Sequence, residues 1–350
     1  MDLSIAAILA QDGITSGAIY ALLALALVLV FSVTRVIFIP QGEFVAYGAL
    51  TLAAIQAGQA PQTSWLVLVM GVLTFLYECA TVLRSAELRR TAGRRLAVLA
   101  GKYLLFPLAV HLLAQRLGAT PMPMAAQIAL TLLIVIPIGP MLYRLAYQPL
   151  AEASTLVLLI VSVGVHFAMV GLGLVMFGAE GSRTTAFSDA NWNLGGLAVS
   201  GQSLWVVGMS AVLIAALYFY FERTIPGKAL RATAVNRLGA RLVGIGTTQA
   251  GRLSFTLAAA MGALCGILIA PLTTVYYESG FLIGLKGFVG AIVGGLASYP
   301  VAAAGALLVG LLESYSSFWA SAFKEVIVFT LIIPVLLWRS LNSKPVEEEE

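Results

Sequence analysis

Five long stretches of this chain, 44–77, 117–143, 154–179, 253–277 and 287–312, contain no Asp, Glu, Lys or Arg. Each is at least as long as the roughly 20 apolar residues with which a helix crosses the hydrocarbon core of a bilayer. The strict apolar–polar alternation of an outer-membrane barrel is missing, which leaves helices to satisfy backbone groups in lipid. Reading each apolar run to its break predicts helices over 13–34, 43–58, 65–83, 96–117, 124–143, 154–178, 204–221, 252–275, 283–297, 300–318 and 323–338. The segment 283–297 is short, rich in glycine and interrupted by Lys286. It either spans or re-enters, and re-entry leaves ten full spans. The predicted fold is therefore an all-α integral membrane protein, a polytopic bundle of about 10–11 transmembrane helices.

Composition narrows the class further. Hydrophobic residues make up 60% of the chain and charged residues 10%, with a mean hydropathy of +0.96. A soluble domain carries about 25% charged residues, so this chain cannot cover a water-facing surface. Residues 1–342 read as one transmembrane domain, followed by an acidic tail at 343–350, with no room for a soluble catalytic domain. The formal charge of +4 does not point to nucleic acid, because the basic residues sit in short loops. One loop holds Arg84, Arg89, Arg90, Arg94 and Arg95, a second Arg144, and a third Arg223, Lys228, Arg231, Arg237, Arg241 and Arg252; Arg339 and Lys344 follow the last span. Placing all of them in the cytoplasm puts the N-terminus outside, the C-terminus inside, and requires an odd number of crossings, which eleven satisfies. Cys79 and Cys265 lie in apolar segments and read as small core residues. Met1-Asp2 opens without a basic region or an A-x-A site, so the first span is expected to stay in the mature protein.

Glycine is frequent, at 34 residues, and the spacing Gly13/Gly17 suits close helix packing in lipid. Two places go beyond packing. Phe38-Ile39-Pro40-Gln41-Gly42-Glu43 sets Pro, Gly and a carboxylate between apolar runs, and Ser279-Gly280 with Gly284, Gly287, Gly290 and Gly294 interrupts the pattern near the other end. Interrupted segments in the two halves of a membrane protein point to a transport pathway. Gln41, Gly42, Glu43, the glycine face and Glu313 are accordingly expected to border a substrate route or its gate, with exposed backbone lining a cavity. The competing reading is that Glu43 only caps the second span.

The loop 222–251 is too long for a tight connection. From 228 to 242, Leu230, Ala234, Leu238 and Leu242 recur every four residues, Arg231, Arg237 and Arg241 lie off that stripe, and Gly244 is placed to stop the helix. This predicts one short amphipathic helix, which either lies in the interface or docks a partner.

The run Arg231-Ala-Thr-Ala-Val-Asn236-Arg237-Leu-Gly-Ala240-Arg-Leu-Val-Gly244-Ile245 resembles the cytoplasmic coupling loop of permeases in the branched-chain amino acid ABC transporter family. Gly13-Ile-Thr-Ser-Gly17-Ala-Ile-Tyr20 is similar to the family's first helix. Gln41-Gly42-Glu43 stands where His-Gly-Glu or Gln-Gly-Glu is usual. Arg144-Leu-Ala-Tyr147-Gln-Pro149 matches a family loop, and Gly294-Gly295-Leu-Ala297-Ser298, followed by Glu313, resembles the Gly-Gly-x-Gly-Ser segment with Ala297 in place of its third glycine. The matches keep the family's order over about 13–75 and 125–340, whereas 76–123 looks like an insertion carrying an extra helix pair. The resemblance implies a transport subunit of an importer in a bacterial inner membrane. Its implied partners are a second homologous permease, two cytoplasmic ATPase subunits and an extracytoplasmic solute-binding protein. Arg231, Asn236, Arg237, Ala240, Gly244 and Ile245 are then expected to contact an ATPase. Leucine, isoleucine or valine is the implied substrate, with urea, short amides or other amino acids as the alternative.

No Gly-x-x-x-x-Gly-Lys-Ser/Thr loop occurs, so ATP and magnesium are expected to be used by the partner subunits, with no cofactor and no metal in this chain. A membrane enzyme would need paired acidic or His-based groups. His111 and His166 lie in different spans without an acidic neighbour at ligand spacing and read as packed polar residues. An ion-coupled secondary carrier would need carboxylates inside the spans, for which Glu78 and Glu313 are the candidates.

Overall fold

The computed structural model describes residues 3–84, 92–118, 120–194 and 197–342. Arg89, Arg90, Lys344 and the acidic tail, which carried part of the charge reading, lie outside the described residues. The chain runs α1 (Leu3–Thr34), α2 (Gln41–Gln56), α3 (Thr63–Arg84), then α4 (Ala92–Ala100), a π-helical turn (Gly101–Leu105) and α5 (Phe106–Leu117). It continues through α6 (Met124–Val135), α7 (Ile138–Leu142), α8 (Thr155–Phe177), a hairpin of β1 (Asn191–Leu194) and β2 (Leu197–Ser200), and α9 (Gly201–Arg223). The remainder comprises α10 (Ile225–Val235), α11 (Arg237–Leu242), α12 (Thr247–Ile269), α13 (Ser279–Val293), α14 (Tyr299–Trp319), α15 (Lys324–Thr330) and α16 (Ile332–Asn342).

Among the described residues, nine helices are long and apolar enough to cross a membrane. Two of the eleven predicted spans are not among them: 43–58 is α2, with 16 residues, and 283–297 is α13, with 15. At 1.5 Å per residue each is roughly 22–24 Å long, short of the roughly 30 Å core. Both pack inside the bundle, α2 against α12 and α13, and α13 against α1, α2 and α14. Among its described residues, segment 76–123 holds the end of α3, which begins at Thr63, and one crossing helix, 93–117.

α1 is the central helix, buried along most of its length, whereas α9 and the last span are almost bare. Small residues set its contact with α14. A Cβ added to Gly310 would lie 2.4 Å from the carbonyl oxygen of Gly13 and from the amide of Gly17, so the backbones touch. This is the role expected of small residues in lipid.

Contacts sort the helix ends into two faces. Leu29 and Val33 of α1, Tyr220 and Phe221 of α9, Leu230 of α10, Ala250 of α12 and Tyr299 of α14 form one apolar cluster. Arg237 donates to the carbonyl of Ala151 at 3.1 Å, tying the turn before α8 to the same face. On the opposite face, residues 182–187 are fastened by the Ser182–Val275 bridge, by Thr185 N–H to Gln56 Oε1 at 2.9 Å, and by Phe187 N–H to Gln202 Oε1 at 3.0 Å.

Candidate functional site

Between α1 and α2 the chain turns back into the protein. Arg35 takes φ +62° and ends α1, and residues 35–38 are non-helical. Phe38 is buried among Phe44, Tyr147 and Phe255, with ring centroids 4.7–6.0 Å apart. Pro40 disfavours helix at the residue before it and has no N–H to lose, so α2 starts at Gln41 in the interior. Helix N-termini carry unpaired N–H groups and partial positive charge, and Glu43 lies in this first turn.

Glu43 does not act as a side-chain cap: no capping hydrogen bond forms at this end of α2. Its Oε1 instead shares a hydrogen bond with Nδ1 of His166 on α8 at 2.9 Å. Glu43 is fully buried, and its Oε2 has no partner among the described residues. Gln41 donates through Nε2 to the Ala258 carbonyl of α12 at 3.0 Å, and its Oε1 is likewise unpartnered. Phe281 of α13 stands 4.6 Å from the His166 ring. Here too backbones touch: a Cβ on Gly42 would lie 2.0 Å from the Gly280 carbonyl oxygen, and one on Gly284 2.8 Å from Gly42 Cα. Four helices thus meet at α2's first turn, around polar atoms with spare hydrogen-bonding capacity.

Of the pathway residues read from the sequence, the structure brings together Gln41, Gly42, Glu43 and Gly284. It separates the others. Gly287 packs on Leu23 of α1, Gly290 on Ala306 and Gly294 on Ala302 of α14. In this conformation these three are contact surfaces and not an open lining, because α13 is enclosed by helices on more than one side. Glu313 lies on another flank of α13. Its Oε1 accepts from buried Lys286 Nζ at 2.5 Å, its Oε2 accepts from Tyr20 at 2.6 Å, and Lys286 also donates to Glu325 at 3.1 Å. The network borders a cavity of about 410 Å³ lined by Asp12, Ser16, Ser314, Ser317 and Lys324. The sequence singled out Lys286 only as an interruption. The signal for its role was that an ionisable residue in an apolar segment needs a partner. His166 carried no such signal, its partner being 123 positions away.

The predicted single helix 228–242 is two. Asn236 is extended, at φ −150° and ψ 101°, and its Oδ1 accepts from Gly239 N–H at 2.8 Å, capping α11. The apolar stripe breaks there: Leu230 is 1% exposed, whereas Leu238 and Leu242 are 69% and 80% exposed. Ala240, expected to contact an ATPase, is buried within this chain. Gly244, at φ +85°, ends α11, Ile245 N–H returns to the Ala240 carbonyl at 2.9 Å, and Arg231 pairs with Glu222. Arg241 Nε donates to Thr247 at 3.1 Å, fastening α11 to the start of α12.

The sequence profile of the family described as the permease component of the branched-chain amino acid transport system matches residues 9–336. The chain belongs to this permease family. It is similar to the high-affinity branched-chain amino acid transport system permease protein LivH of Escherichia coli K12, with 28% identity over 246 residues, 68% of this chain and 79% of the relative. BraD of Pseudomonas aeruginosa, whose description is the same, is 28% identical over 247 residues, 68% of this chain and 80% of the relative. A probable branched-chain amino acid transport permease protein LivH of Methanocaldococcus jannaschii is 27% identical over 186 residues, 51% and 59% of the two chains. No solved structure matches the chain.

This permease is thus a multi-pass membrane transport subunit. Glu78, the other span carboxylate singled out from the sequence, is held by Arg144 through two hydrogen bonds, at 2.7 and 2.9 Å. Among the described residues, no three His, Cys, Asp or Glu side chains are grouped to hold a metal.

Proposed function

We propose that this permease is the membrane subunit of an ATP-driven importer for leucine, isoleucine, valine or closely related amino acids. It works with a second permease, two cytoplasmic ATPase subunits and an extracytoplasmic binding protein. The names of its relatives, which are branched-chain amino acid transport permeases, support the substrate class. The face bearing α10 and α11 is cytoplasmic, which puts the N-terminus outside and the C-terminus inside in a bacterial inner membrane. Arg94, Arg95, Arg144, Arg223, Arg231, Arg237, Arg241 and Arg252 lie toward that face, against Arg116, Arg183 and Lys324 toward the other, as the positive-inside rule requires.

The observation that carries the reading is a continuous mechanical link. α11 is bound to the start of α12 by Arg241–Thr247, and α12 holds Gln41 at α2's buried end through Ala258. A push on α11 is therefore delivered by a rigid helix to the Glu43–His166 junction, which serves as the gate. The ATPase meets the corner of α10 and α11 through Val235, Leu238, Leu242 and Val243, each more than two thirds exposed; apolar groups at that exposure suit a partner's pocket. Asn236, Arg237, Ala240, Gly244 and Ile245 act by shaping that surface. An ion-coupled carrier fits less well, since Glu43, Glu78 and Glu313 are all engaged by His166, Arg144 and Lys286.

The test is leucine uptake and ATP hydrolysis by the reconstituted complex carrying Leu238→Asp with Leu242→Asp. Loss of both activities in a fully expressed permease supports the docking surface; normal coupling removes it. Uptake of urea but not leucine by the unaltered complex would overturn the substrate class.

A further inference from the structure

The crossing helix 93–117 carries a charge that the described residues leave uncompensated. Lys102 lies nine residues beyond the start of the span 93–117, roughly 14 Å along it at 1.5 Å per residue. Its Nζ stands 5.2 Å from the Tyr103 ring centroid, and no described carboxylate pairs with it. Arg252 of α12 is close enough to act on Lys102 electrostatically. Its Nε is buried and has no partner among the described residues. Both cations line one cavity of about 480 Å³, with Thr256 beside them and Phe106, Ile136 and Met141 forming an apolar wall. The carboxylate whose field reaches Lys102 is Glu78, and Arg144 already takes both of its oxygens. Three cations against one carboxylate leave two positive charges in excess.

We infer that this cavity, between α4–α5, α7 and α12, binds an anionic phospholipid, its phosphate between Lys102 and Arg252 and its acyl chains along Phe106 and Ile136. A like-charged pair within membrane-spanning helices is costly without an anion, and basic pockets between membrane helices suit lipid phosphates. The apolar wall distinguishes the occupant from a free ion, which has nothing to lay against it. A second cavity on the same helix, of about 550 Å³, presents Arg94 and Arg95 together with Glu78, two cations to one carboxylate, and extends the basic surface toward the start of the helix. The lipid thus adds to the contacts that His111 makes with Ser64 and Trp65 in holding this helix against the bundle.

The test uses the full-length permease purified in detergent and delipidated. Phosphatidylglycerol, phosphatidylcholine and inorganic phosphate are added separately, with retained lipid read by native mass spectrometry and unfolding by thermal melting. Phosphatidylglycerol is expected to be retained and to raise the melting temperature, while the other two have little effect. Lys102→Gln and Arg252→Gln should each weaken retention about fivefold, the factor for losing one basic contact with an anionic lipid. Arg223→Gln, an exposed cation outside the pocket, should leave it unchanged. Should Arg252→Gln fail to fold, Lys102→Gln decides, because its side chain is exposed, with Lys102→Arg expected to restore retention. Equal retention of phosphatidylcholine, full stabilisation by inorganic phosphate alone, or unaltered retention in Lys102→Gln would each overturn the inference.

Discussion

Glu43 and His166 are separated by 123 positions, yet Nδ1 of His166 reaches Oε1 of Glu43 at 2.9 Å in the interior of the bundle. The contact joins α2, whose first turn is buried, to α8, whose outer surface is largely exposed. A buried carboxylate with one engaged and one free oxygen is poorly explained by packing alone, since unpaired buried polar atoms are destabilising. It suits a contact that must open and re-form while solute passes.

That reading separates two variants. Glu43→Gln keeps an acceptor for His166 but removes the charge, so assembly and melting temperature should stay near those of the parent while the transport rate changes. Glu43→Ala leaves the His166 N–H buried and unpaired, which costs on the order of 1–3 kcal/mol. Uptake assays beside thermal melts check both. Unchanged uptake by a fully assembled Glu43→Gln variant removes Glu43 from the gate.

The Lys286 network should behave as a structural unit. Lys286→Met leaves Glu313 largely buried with no cation, and breaking such a pair destabilises by roughly 3–5 kcal/mol. The double change Lys286→Met with Glu313→Gln should recover much of that loss, read as melting temperature in one detergent. If the single and double variants melt alike, the pair does not hold α13 against α14.

How far the chain could be read in advance depended on distance along it. Charge-free runs locate the long helices because crossing lipid is a local requirement, met residue by residue. The break at Pro40–Gln41 was visible for the same reason, proline acting on its neighbours. Asn236 was missed because its cap is a choice between two local hydrogen-bond patterns, and a four-residue apolar repeat continues through it. The partners of Glu43, Lys286 and Glu78 were invisible, since each sits on a helix brought near only by the packed bundle. The glycines misled in another way. Their spacing marks a face of α13, but which helix covers that face is decided by the whole bundle.

Orientation is open to a direct check. With Cys79 and Cys265 replaced, single cysteines at Asn193 and Val243, both exposed, are offered a membrane-impermeant maleimide on intact spheroplasts. Asn193→Cys should react and Val243→Cys should react only after lysis. The reverse pattern would invert the bundle and place α10 and α11 beyond the reach of any cytoplasmic ATPase.

The last prediction concerns the joint at Asn236. Because α10 packs on the bundle through Leu230 while α11 presents Leu238 and Leu242 outward, the angle between the two helices sets how a push on α11 enters α12. That angle is held by the Asn236 side chain on Gly239 N–H. Asn236→Ala removes the cap, for which the usual loss is about 1 kcal/mol. That is too little to unfold a bundle of this size, and α11 spans only six residues, so the change is felt locally. ATP hydrolysis by the complex should then persist while leucine taken up per ATP falls. Asn236→Asp keeps an acceptor of the same geometry and should restore the ratio, whereas a role in touching the ATPase would make the added charge more damaging than alanine. Uptake and hydrolysis measured in the same proteoliposomes give the ratio. If Asn236→Asp uncouples and Asn236→Ala does not, the residue is a contact and the joint lies elsewhere.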